Sequence, residues 1–89
     1  MKHNYIEVTF RKGKALVAYL YLPRENGAKS VRTEAQGEGI LVDFSKNGEP
    51  IGVEITAPSQ VSLEAINEVL EKLGQPAIGS EDIAPMQAA

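Results

Sequence analysis

The sequence predicts an α+β fold: one antiparallel sheet of about five strands followed by a single amphipathic helix. Three observations predict it. Apolar and polar residues alternate through most of the chain up to residue 57, the period-two signature of strands. Asn47-Gly48 joins two such runs, and Asn-Gly between alternating apolar segments is the strongest short-range hairpin signal. After Pro58 the apolar spacing lengthens to every third or fourth residue, which is a helical period.

The first strand, residues 5–10, places Ile6, Val8 and Phe10 on one side and Tyr5, Glu7 and Thr9 on the other. A two-residue turn at Lys12-Gly13 pairs Phe10 with Ala15, Val8 with Val17 and Ile6 with Tyr19. The second strand, residues 15–22, is apolar on both faces, with Ala15, Val17, Tyr19 and Tyr21 on one and Leu16, Ala18, Leu20 and Leu22 on the other. Such a strand is expected to be central and covered twice. Pro23 stops it, and residues 24–29, containing Asn26-Gly27, form a polar loop.

Residues 30–36 make a weaker strand in which Val31, Thr33 and Ala35 alternate with Arg32, Glu34 and Gln36. Gly37-Glu38-Gly39 turns the chain into strands 39–45 and 50–57. With Asn47 and Gly48 as a two-residue loop, the expected pairs are Phe44–Ile51, Val42–Val53 and Ile40–Ile55, all on one face. A bulge breaks this agreement, so the plain loop is the expectation. Asp43 then lies opposite Gly52, and Glu54 opposite Leu41.

The helix spans residues 63–73, with Leu63, Ile66, Val69, Leu70 and Leu73 on one face. Ser62 is the expected N-cap, Glu64 suits the positive end of the helix dipole, and Gly74 with Pro76 ends the helix. About three turns cannot persist alone, so the apolar stripe must dock on the sheet. Residues 75–89 are expected to be a flexible tail with at most a short turn at 80–84.

In chain order these strands form a meander, with the helix on one face. One helix leaves the other face bare. If the helix covers Val8, Val17, Val42 and Val53, then Leu16, Leu20, Leu22 and Leu41 form a candidate interface, and a second copy is the simplest cover, making a homodimer.

Composition narrows the function. Eighty-nine residues, 43% hydrophobic and 24% charged, describe a single domain over residues 1–89, near the lower limit for a self-sufficient core. The chain has no cysteine and one histidine, His3; no thiolate or two-histidine metal site is available, and a reducing compartment is permitted. Its net charge of −3 is spread without a basic stripe, so nucleic acid is not an expected partner. The longest uncharged apolar run, residues 15–22, is far short of the ~20 residues that cross a bilayer. The opening Met1-Lys2-His3-Asn4-Tyr5 has no apolar signal core. A cytoplasmic protein, with no membrane partner and no cofactor, is the expectation.

No motif points to catalysis. Asp43 and Glu54 share a side of the hairpin, as a carboxylate pair must, but their register is diagonal and an ion-paired or solvated role is the better account. Glu34, Glu38 and Asp43 supply oxygens without calcium-loop spacing. Gly37-x-Gly39 joins strand to strand, so it has no helix N-terminus to hold a phosphate. Tyr5, Tyr19 and Tyr21 suggest base stacking, yet they lack a basic groove and are read as packing.

The run Ala-Leu-Val-Ala-Tyr-Leu (Ala15 to Leu20), Thr33-Glu34, Gly39-Ile40-Leu41-Val42-Asp43-Phe44, and Gly48 with Gly52-Val53-Glu54-Ile55 resembles the small bacterial and archaeal family catalogued as domain of unknown function 2283, over roughly residues 5–59. The resemblance implies a compact β-rich cytosolic protein without an established activity. It also implies an alternative role, an antitoxin-like inhibitor of a small toxin protein. Relatives often end soon after the Glu-Ile strand, whereas this chain continues through a helix and tail. The expected function is a small non-enzymatic interaction module that self-associates or binds a protein partner through a sheet face.

Overall fold

A computed structural model describes residues 5–11, 14–23 and 27–87. His3, the Lys12-Gly13 turn and Asn26 lie outside the described residues. Five strands form one antiparallel sheet: β1 (Tyr5–Arg11), β2 (Lys14–Tyr21), β3 (Arg32–Gly37), β4 (Ile40–Phe44) and β5 (Pro50–Ile55). A 3-10 turn (Pro58–Gln60), helix α1 (Leu63–Lys72) and a short helix α2 (Ala84–Gln87) follow. The α+β class and the single sheet with its C-terminal helix are as the sequence predicts.

The strand order is β1-β2-β5-β4-β3, which corrects the sequential meander. β5 lies between β2 and β4, and β3 is carried to the far edge. The doubly apolar β2 explains the insertion: a central strand needs a partner on each edge, and β3, with Arg32, Glu34 and Gln36 on one face, is too polar to provide one.

Two bulges set which residues reach the core. The β1–β2 hairpin begins in the expected register, with Phe10 opposite Ala15, but Leu16 is left over and Thr9 then pairs with Val17. The slip brings Val8 opposite Ala18 and Ile6 opposite Leu20, exchanging the two faces of β2. Leu20 and Leu22 are therefore 1% and 0% exposed, whereas Leu16 is 48% exposed.

The β4–β5 hairpin closes through a three-residue loop rather than two. The Gly48 amide donates to the Ser45 carbonyl (2.9 Å), the Ser45 amide to the Glu49 carbonyl (2.9 Å), and Gly48 takes the left-handed φ of 81° that such a loop needs. Phe44 consequently pairs with Pro50, Ile51 is the bulged residue, and beyond it the expected Val42–Val53 and Ile40–Ile55 pairs are restored. The bulge takes up the residue that the longer loop displaces.

One face of the sheet carries the core: Ala18 and Leu20 from β2 with Leu22 just beyond its end, Ile40, Val42 and Phe44 from β4, Val53 and Ile55 from β5. Ile66, Val69 and Leu70 of α1 cover it. Ser62 caps the helix, its Oγ accepting from the Ala65 amide at 3.1 Å. Gly74, at φ 73°, ends it by donating to the Glu71 carbonyl, while the Gln75 amide reaches the Leu70 carbonyl.

The segment expected to be a flexible tail is seated on the same face through residue 87. Ile78 and Ile83 are buried in the core. The Asn67 side chain accepts from the Ile78 amide at 2.9 Å and donates to the Ile78 carbonyl at 3.1 Å, and α2 packs beside β1, β2 and the 3-10 turn. Two isoleucines spaced along a short polar segment give no helical or strand period, which is why the docking is silent in the sequence.

Candidate functional site

The helix, the 3-10 turn and the tail all serve one face of the sheet, so the other face is where chemistry is displayed. Register lays it out in rows. Tyr5, Tyr21, Gly52, Asp43 and Thr33 run across the five strands in order β1-β2-β5-β4-β3, and Glu7, Tyr19, Glu54, Leu41 and Ala35 form the next row. Tyr5 is 49% exposed; Tyr19, Tyr21, Leu41, Asp43 and Glu54 are half-buried, and Glu7 and Thr33 are exposed.

The tyrosines form one aromatic cluster. Tyr5 stacks on Tyr21 with ring centroids 4.4 Å apart and an interplanar angle of 13°, and Tyr19 meets Tyr21 edge-on at 4.7 Å, the two geometries that aromatic quadrupoles favour. The Tyr21 hydroxyl donates to Glu7 Oε1 at 3.3 Å. Tyr19 leans along the sheet over Gly52 and donates to Asp43 Oδ2 at 2.6 Å, while Thr33 donates to the other oxygen of the same carboxylate at 2.5 Å. Asp43 thus ties the aromatic cluster of β2 to the edge strand β3.

Gly52 makes this possible, because a Cβ there would overlap the Tyr19 ring. Gly52→Val is expected to push the ring off the sheet, break the Tyr19–Asp43 bond and cost about 1–3 kcal/mol. Urea unfolding measures the loss and near-ultraviolet circular dichroism the released tyrosine; an unchanged midpoint and spectrum would refute the arrangement.

The sequence-level candidates separate. Asp43 opposes Gly52 and Glu54 opposes Leu41, the diagonal placement expected of them. Glu34 lies opposite Val42, on the far face from Asp43, so Glu34, Glu38 and Asp43 do not converge. Among the described residues no group of three His, Asp or Glu side chains is placed to hold a metal ion. Arg32 pairs with Glu34 at 2.6 Å and lies 4.5 Å over the Phe44 ring, rather than reaching Asp43 or Glu54. Of the candidate interface Leu16, Leu20, Leu22 and Leu41, the structure buries Leu20 and Leu22 under the chain's own helix and tail and leaves Leu41 on the tyrosine face. The four do not form a surface, because the Leu16 bulge reversed β2.

The Tyr19–Asp43–Thr33 bonding is the feature sequence reasoning missed. Its one legible trace is Gly52, a glycine inside a strand, which marks the close approach of another group. Asn67, which holds the tail, left no trace. On the helix side, a groove of about 600 Å³ runs between α1 and the β3–β4 turn, rimmed by Gln36, Glu38, Gln60, Glu68 and Lys72; the hydroxyl that lines it, Ser62, caps α1. Among the described residues no helix is long and apolar enough to cross a membrane.

Neither the curated proteins nor the solved structures yield a match to this chain. The family comparison does, over a narrower stretch than the resemblance from residue 5: residues 17–59, from within β2 into the 3-10 turn, match the family model described as Protein of unknown function (DUF2283).

Proposed function

We propose that the protein is a small non-enzymatic interaction module, working in the cytoplasm, that binds a protein partner through the tyrosine-bearing face of its sheet. The observation that carries this reading is the cluster of Tyr5, Tyr19 and Tyr21 beside Leu41 on the face away from α1 and the tail. Partly exposed aromatic rings fixed by hydrogen bonds supply large contact area at little further cost in side-chain entropy, and tyrosine is enriched at binding hot spots.

Charge selects the kind of partner. Glu7, Asp43 and Glu54 lie on this face, and its two rows through the tyrosines hold no lysine or arginine. Two copies placed face to face bring like charges together, whereas a partner presenting arginine or lysine meets complementary potential. The carboxylate and hydroxyls of Asp43, Tyr19 and Thr33 bond to one another, which favours a scaffold over a reacting centre.

Affinity purification from the native host tests the reading with Tyr5→Ala and Glu54→Lys on the face and Lys72→Glu, exposed on α1, off it, each checked for folding by circular dichroism. A basic stoichiometric partner held by the wild type and by Lys72→Glu, but lost from both face variants, is the expected result. A partner that survives both face substitutions, or no stoichiometric partner at all, would overturn it.

A further inference from the structure

The edge strand β3 is complementary to itself. Its residues from Arg32 through Ala35 are exposed on both faces, and it pairs on one side only, with β4. Helix α1 approaches it at the Gly37 end, where a Cβ on the glycine would lie 4.0 Å from Val69, leaving the Arg32 end clear. The opposite edge, β1, has α2 packed beside it.

Backbone alternation sets what β3 offers. The Ser45 amide bonds toward β5 and the Phe44 carbonyl accepts from the Val31 amide at 2.9 Å, so Arg32 and Glu34, opposite Phe44 and Val42, turn their amides and carbonyls to β4, and those of Thr33 and Ala35 turn to the free edge. Unpaired strand edges recruit other strands unless something opposes it, and β3 carries neither a proline nor a run of like charge.

We infer that two copies of the chain join edge to edge through antiparallel β3 strands, with Thr33 facing Thr33 across the two-fold axis. Three registers keep side chains on their own faces near the middle of the strand. One sets Glu34 against Glu34 and another sets Arg32 against Arg32, both unfavourable. The third, centred on Thr33, places each Arg32 opposite Glu34 of the second copy, twice by symmetry. In that register the outward amide and carbonyl of Thr33 meet those of Thr33 in the second copy as a hydrogen-bonded pair, and Arg32 and Glu34 face each other in the closer, non-hydrogen-bonded pairs beside it. On the tyrosine face it also sets Val31, which is 65% exposed, against Ala35. The result is a continuous ten-stranded sheet. This interface uses an edge, so it stands or falls independently of partner binding at the tyrosine face.

Size-exclusion chromatography with light scattering across a concentration series tests it. The wild type is expected to dimerise. Arg32→Glu and Glu34→Arg are each expected to weaken the dimer at least about tenfold, because both cross-copy pairs become like-charged. Mixing the two variants is expected to recover a dimer, since the acids of one then face the arginines of the other. That recovery cannot come from repairing a fold within one chain, and circular dichroism confirms that each variant is folded. A strictly monomeric wild type, a dimer indifferent to both substitutions, or a mixture that stays monomeric would overturn the inference.

Discussion

Leu20→Ala is expected to lower the unfolding free energy by about 2–5 kcal/mol, a large share of the about 5–15 kcal/mol that holds a small domain together. Leu20 is 1% exposed and faces Ile6 on one side and Val53 on the other. Truncation leaves a void under α1 that packed neighbours fill only in part, so the loss includes a cavity cost as well as lost burial. Leu16→Ala, four residues away on the same apolar strand, is expected to stay within about 0.5 kcal/mol of the wild type, since Leu16 is the bulged and largely exposed residue. Urea denaturation of both variants gives the comparison. Equal losses would mean that β2 is not bulged at Leu16 and that its faces lie the other way round.

The second large effect is expected at the C-terminal segment. Ile83→Ala should also cost about 2–5 kcal/mol, because Ile83 is 1% exposed and belongs to the same core as Ile66 and Leu70. The variant should in addition become sensitive to proteolysis between Gly74 and Ile83, since the Asn67 clamp on Ile78 is then the main hold on a segment with little regular structure. Equilibrium unfolding and limited proteolysis read the two consequences separately. A change below about 0.5 kcal/mol with no new cleavage would show that the segment does not contribute to the core.

Period and turn chemistry were legible. The strand and helix limits follow from alternation, from Pro23 and from the Ser62 and Gly74 caps, and each falls within a residue or two of its expected place. What alternation cannot reveal is a single unpaired residue. Leu16 suits either face of an apolar strand, so nothing in its neighbours announces a bulge, and one missed slip exchanges core and surface along all of β2. The hairpin at Asn47-Gly48 shows the compensated case: a three-residue loop and a bulge at Ile51 offset each other, and Val42–Val53 emerges as expected. Strand order escaped for another reason. Local pattern identifies partners joined by tight turns, whereas the β2–β5 pairing depends on which exposed edges are apolar enough to meet. The site was visible only as components: three tyrosines, Asp43 and Gly52 lie far apart in the chain, and only the register brings them into adjacent rows.

The position of β5 has a kinetic consequence. β1 with β2, and β3 with β4 and β5, each zip up through short connections. The seam between these two units pairs Ala18 with Ile55 and Tyr21 with Gly52, residues separated by most of the DUF2283 segment. Loop closure across that separation must precede the reward from the contacts it brings. Docking of the two units along the seam is thus expected to be the slow step of folding, and β2 and β5, each apolar and each with one edge unpaired until then, are where the nascent chain is most open to a wrong partner.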